Sequence, residues 1–189
     1  MRVIAWLLVT MGIFGCSASQ ASIRVGQKEQ KLGTVLTAQY DRFSDKIMVK
    51  SKPQMLYGAE THHGLSLSIG VIFQCQGDTL TRPDTLGIYY MYTGREWAFL
   101  RESQRSLVFM LGEERVAVPV LSHESDVWSG GMVNERMVTL IPWDLALQLF
   151  HAGADGQLGD FEFDLGHPKT AEFFRLVEET LGPLPSRSD

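Results

Sequence analysis

Cysteine is nearly absent from this sequence. Cys16 and Cys75 are the only two in 189 residues, so the chain has no disulfide framework of the kind that staples small secreted scaffolds. It has no Cys-x-x-Cys pair for zinc or dithiol chemistry. Histidine is scarce as well, with five in the chain and no His-Glu-x-x-His spacing. Basic residues are the minority charge: Lys and Arg number 17 against 22 Asp and Glu, giving −5. That balance argues against a nucleic-acid binder held by phosphate contacts. No basic, aromatic-interleaved stretch offers a single strand a stacking platform. No glycine-rich phosphate loop follows a strand pattern, which disfavours nucleotide binding. Internal repeats and a second composition boundary are missing too, so a single domain is expected. A chain of this length buries about 70% of its unfolded surface and needs no disulfide to hold a core.

What is present begins at the N-terminus. Met1-Arg2 precedes an apolar run from Val3 to Gly15, followed by Cys16 and the small, polar Ser17-Ala18-Ser19-Gln20-Ala21. A positive start, a short apolar stretch and small residues form the pattern of a secretory signal peptide. As a helix the run rises only ~20 Å, short of the ~30 Å hydrocarbon core, so it is a poor permanent span. No other segment approaches the ~18 apolar residues that a transmembrane helix needs.

Ile13-Phe14-Gly15-Cys16 resembles the lipobox of bacterial lipoproteins. Ile13 and Gly15 match its aliphatic and small positions; Phe14 departs from its usual smaller residue. The resemblance covers residues 1–16 alone. It implies that residues 1–15 are removed and that Cys16 is lipidated and becomes the mature N-terminus. Ser17, rather than Asp, implies sorting to the outer membrane facing the periplasm. Cleavage after Ala18 or Ala21 would instead release a soluble periplasmic or secreted protein, and an uncleaved run would remain as an anchor. Residues 16–30 read as a tether with a short strand at Ile23–Val25, residues 31–183 as one β-rich domain, and 184–189 as a tail.

The middle of the chain has the period of β-structure. Leu65, Leu67, Ile69, Val71 and Phe73 alternate with Ser66, Ser68 and Gly70, which predicts a half-buried strand. Cys75, at its end, reads as a small buried hydrophobe. Leu86–Tyr92 is apolar on both faces and predicts a central strand. Leu107–Leu111 and Arg115–Leu121, joined by Gly112-Glu113-Glu114, predict a hairpin. Pro119 places its second strand at an edge. Ser129-Gly130-Gly131 predicts a turn into a strand over Met132–Ile141, and Thr34–Tyr40 and Lys46–Lys50 are further strand candidates.

The period then lengthens. Pro142 suits a first helical turn, Leu145, Ala146, Leu149 and Phe150 share one side, and Gly153 is a stop. Alternation returns over Gly159–Leu165. Pro168 opens a second helix with Ala171, Phe174, Val177 and Leu181 on one side, ended by Gly182-Pro183. The expected class is α+β: a mostly antiparallel β-sheet or sandwich with two short C-terminal helices.

Four residue groups hold candidate chemistry. His62 and His63, with Glu60 and His123, supply zinc-type ligands, although adjacent residues of an extended segment point to opposite faces. His123-Glu124-Ser125-Asp126 has the residue types of a Ser/His/Asp hydrolase but lies in a polar run that reads as a loop, with no Gly-x-Ser-x-Gly elbow. Asp155, Asp160, Glu162 and Asp164 offer oxygen ligands without EF-hand spacing. Among the aromatics Tyr89, Tyr90, Tyr92, Trp97 and Trp128, the residues favoured as a ligand-binding platform are Tyr89 and Trp128. No cofactor is expected. The expectation is an envelope-anchored, non-enzymatic binding or structural domain, tied to a membrane through Cys16 and engaging an envelope protein or glycan. The alternatives are an exported hydrolase or metal-binding enzyme, and a carbohydrate-binding module.

Overall fold

Alternating burial along the chain produces fourteen strands among the described residues, which are 22–56, 66–101 and 105–186 of a computed structural model. They are β1 (Ile23–Arg24), β2 (Gln30–Leu32), β3 (Leu36–Asp41), β4 (Lys46–Ser51), β5 (Gln54–Met55), β6 (Ser66–Gln76) and β7 (Thr79–Leu80). They continue with β8 (Thr85–Gly94), β9 (Leu107–Leu111), β10 (Glu114–Val118), β11 (Val120–Trp128), β12 (Met132–Pro142), β13 (Asp155–Leu158) and β14 (Phe161–Asp164). Helix α1 (Trp143–Ala152) lies between β12 and β13, and α2 (Pro168–Leu181) follows β14.

The large sheet runs β11-β12-β8-β6-β4-β3-β2, with β5 added beside β6. A smaller sheet runs β10-β9-β13-β14. All the ladders of both sheets are antiparallel. The small sheet covers one face of the large one through aromatic contacts: Tyr90 to Phe163 at 6.0 Å and Tyr92 to Phe161 at 5.5 Å. Buried aliphatics of β3, β4, β6 and β8 fill the same layer, including Leu36, Ile47, Ile69 and Ile88. The architecture is the expected α+β sandwich with two short C-terminal helices.

The helices follow their sequence signals. Pro142 stands at the N-cap of α1 rather than inside its first turn, and Gly153 ends the helix in the left-handed region at φ 58°. Pro168 opens α2, where its missing N–H costs nothing. Phe150 stacks on Phe174 at 3.7 Å and joins the two helices. On α2, Thr170 and Phe173 are buried alongside Phe174, Val177 and Leu181, while Ala171 is only half-buried.

Three local expectations are corrected. β6 is not half-exposed in its first half: Ser68 and Gly70, on its supposed open face, are buried, and that face opens only at Gln74 and Gln76. The Tyr89 ring lies across Gly70, where any Cβ would collide with it, which is why glycine occupies this position. Arg115–Leu121 is not one strand, because Pro119 breaks it into β10 and the start of β11. His123–Asp126 is not a loop but the middle of β11, since cross-strand pairing with β12 outweighs the polar local sequence.

The Tyr90 hydroxyl is fully buried and has no hydrogen-bond partner among the described residues. Burial pushes its phenol pKa up. An unpaired buried hydroxyl costs about 1–3 kcal/mol. Tyr90→Phe is therefore expected to raise the melting temperature, by about 2–4 °C for each kcal/mol recovered. A fall in thermal unfolding temperature would show that the hydroxyl is satisfied in solution.

Candidate functional site

The β11–β12 hairpin turns at Gly130 and Gly131, whose φ values of 88° and 76° suit glycine. Gly131 N–H donates to the Trp128 carbonyl at 3.2 Å. Register then sorts the side chains. His123, Ser125 and Val127 lie opposite Met137, Glu135 and Val133; Glu124, Asp126 and Trp128 lie opposite Arg136, Asn134 and Met132. The first set shares the face of Tyr90 and Tyr92, which β12 pairs with Met137 and Glu135 across β8.

Glu135 is wholly buried on that inner face. A buried carboxylate is costly unless its oxygens are saturated with donors. Three groups do this. Ala98 N–H donates to Oε2 at 2.7 Å, Phe99 N–H donates to Oε1 at 3.1 Å, and His123 Nε2 lies 2.9 Å from Oε1. A carboxylate only accepts, so Nε2 carries the proton. Arg105 completes the clamp by donating from Nε to the Phe99 carbonyl at 2.8 Å and from Nη2 to the Leu100 carbonyl at 2.7 Å. Phe99 is thereby held edge-on to Tyr92 at 5.6 Å and against Phe161 at 5.4 Å. Burial, with the Glu135 and Glu96 carboxylates nearby, pushes the Tyr92 phenol up. Glu135 thus ties the chain after β8 to β12 and β11.

Beside this clamp the two sheets part. A groove of about 770 Å³ lies between β10 and β11, lined by Arg105, Arg115, Val118, Pro119, Leu121 and His123 among others. Beyond it, among the described residues, β11 is the outermost strand of the large sheet and is paired on one side only. Three large apolar side chains on this strand are exposed: Leu121 at 57%, Val127 at 59% and Trp128 at 48%.

The anticipated site residues separate into groups. Cys16, Glu60, His62 and His63 lie outside the described residues. His123 meets Glu135 rather than Asp126, whose Oδ1 accepts the Val127 N–H at 2.8 Å on the other face. Among the described residues no three His, Cys, Asp or Glu side chains converge as a cation site. Asp155 and Asp164 lie opposite each other, and Glu162 is opposite Gln157, while Asp160 lies in the turn between β13 and β14. Tyr89 is half-buried, and its hydroxyl donates to the Ser51 carbonyl at 2.8 Å, so it is no open platform. Tyr90 and Tyr92 belong to the core, and Trp128 is exposed near the hairpin tip. Sequence reasoning missed Glu135. Its signal was a lone acid at an inward period-two position among Val133, Met137 and Ile141. No protein-family model matches the chain, and comparison with curated proteins and with solved structures finds none similar to it.

Proposed function

We propose that this chain is an exported envelope lipoprotein, with Cys16 carrying the lipid and a non-enzymatic binding domain held at the outer membrane facing the periplasm. The observation that carries the reading is Ile13-Phe14-Gly15-Cys16 at the end of a short apolar run, followed by small and polar residues. A single acyl chain binds a bilayer only marginally, so stable anchoring requires the several chains that lipoprotein processing implies. Binding is favoured over hydrolysis by placement. The acid, base and hydroxyl of His123–Asp126 divide between two faces of β11, and the carboxylate that meets His123 also holds two backbone N–H groups. The exposed apolar edge of β11 is a surface that a partner can cover.

Membrane fractionation tests the anchor. The native protein is expected to stay with membranes through salt and carbonate washing, and Cys16→Ala to leave them. Release of the native chain by either wash contradicts the reading. A second reading, an exported hydrolase, draws on one observation: a carboxylate-bound His123 lines a groove. Turnover of any ester, amide or glycoside that disappears in a folded His123→Gln variant would replace binding with catalysis.

A further inference from the structure

We infer that the free edge of β11 is a docking site for an extended, basic segment of another polypeptide, which joins the large sheet as an added strand. The inference rests on the binding-domain reading above and names the partner's chemistry. β11 is nine residues long and, among the described residues, terminates the sheet. The strand at the opposite end, β2, has three residues. Short strands, charged side chains, proline and β-bulges are the usual means by which an edge is kept from pairing. β2 uses the first and includes Lys31. β11 follows Pro119 and has a bulge between Val120 and Ser122, so its first residues are guarded; beyond them its only charged guards are the acids Glu124 and Asp126, and its last five residues are exposed on both faces. An added strand gains main-chain hydrogen bonds along such an edge and takes its specificity from alternate side chains.

Two features say what kind of strand fits. The groove runs beside the first half of β11, where Leu121, Val118 and Pro119 offer a seat for one apolar side chain of the incoming segment; Arg105 and Arg115 line the same groove, so no basic side chain is matched in this half. Glu124 and Asp126 occupy the outer face of the second half. Arg136 is 3.6 Å from Glu124, an exposed pair; among the described residues Asp126 has no cation, and its Oδ1 accepts the Val127 N–H. Opposite charges at cross-strand positions favour pairing and like charges oppose it. A basic side chain is therefore matched there.

The same acids argue against a second copy of this chain. Antiparallel self-pairing centred on Glu124 sets Glu124 against Glu124. Centring it on Ser125 sets Glu124 against Asp126. Either register opposes carboxylates in the middle of the ladder.

The probe is a synthetic seven-residue peptide alternating valine with lysine, used with the full chain purified from membranes in detergent and followed by amide hydrogen exchange and titration calorimetry. Saturable binding with new protection confined to β11 amides is expected. The double variant Glu124→Lys/Asp126→Lys should bind it about tenfold or more weakly and instead take the matching valine–glutamate peptide. Both sites are exposed, so this variant is expected to fold. No binding to the native domain, protection away from β11, or equal binding by the charge-reversed variant each overturns the inference. Self-association of the native domain with β11 protected would make a second copy the occupant and also overturn it. The anchor stands or falls separately: acylated Cys16 with no strand binding leaves the lipoprotein reading intact, and strand binding by a chain that lacks the lipid does the reverse.

Discussion

Glu135→Ala is expected to destabilise the domain by about 3–5 kcal/mol, the range for removing one partner of a buried charged network. The loss has two sources. Ala98 and Phe99 N–H groups are left without their acceptor, and His123 loses its carboxylate. Water cannot readily replace them, because Glu135 is wholly buried on the inner face beside its cross-strand neighbour Tyr92. Urea unfolding monitored by tryptophan fluorescence measures the effect as a lower midpoint. The double variant His123→Leu/Glu135→Leu should lose less than the sum of its two single changes, since it removes both partners of the hydrogen bond together. Additive losses would mean that the 2.9 Å contact is not an energetic pair.

Phe99→Ala should cost a comparable amount, about 3–5 kcal/mol, from lost transfer energy and the cavity left behind. Phe99 is fully buried in a segment outside any strand or helix, so neither sheet ladders nor helical bonds can hold that segment once the ring is gone. Its ring meets Tyr92 of the large sheet and Phe161 of the small one, and it helps close the end of the sandwich near Glu135. Faster proteolysis within residues 95–101 is expected before global unfolding, because local opening there no longer exposes a buried aromatic. Unchanged cleavage would show that Arg105 and Glu135 alone retain the segment.

The fold was legible where one physical signal dominated. Period-two alternation located β6, the apolar run Leu86–Tyr92 marked the middle of β8, and the proline and glycine signals at 168 and 153 marked the helix boundaries. Reading failed where a tertiary partner overrode local pattern. β11 is polar enough to resemble a loop, and only its pairing with β12 makes it a strand. Ser68 and Gly70 resembled a solvent face because the Tyr89 ring that covers Gly70 comes from a neighbouring strand. His123 was visible as a reactive residue type, but its partner stands twelve positions later on the adjoining strand. Sequence spacing carries no record of that diagonal contact, whereas sheet register does.

The central claim is that Cys16 is the lipid-bearing N-terminus of an envelope protein. The intact mass of the N-terminal peptide, taken from native membranes beside a Cys16→Ala sample, tests it most directly. The account predicts a peptide that begins at Cys16 and carries acyl chains, with no such species in the variant. An unmodified peptide that begins at Ser19 or Ser22, after Ala18 or Ala21, would contradict it and make the domain a soluble exported protein.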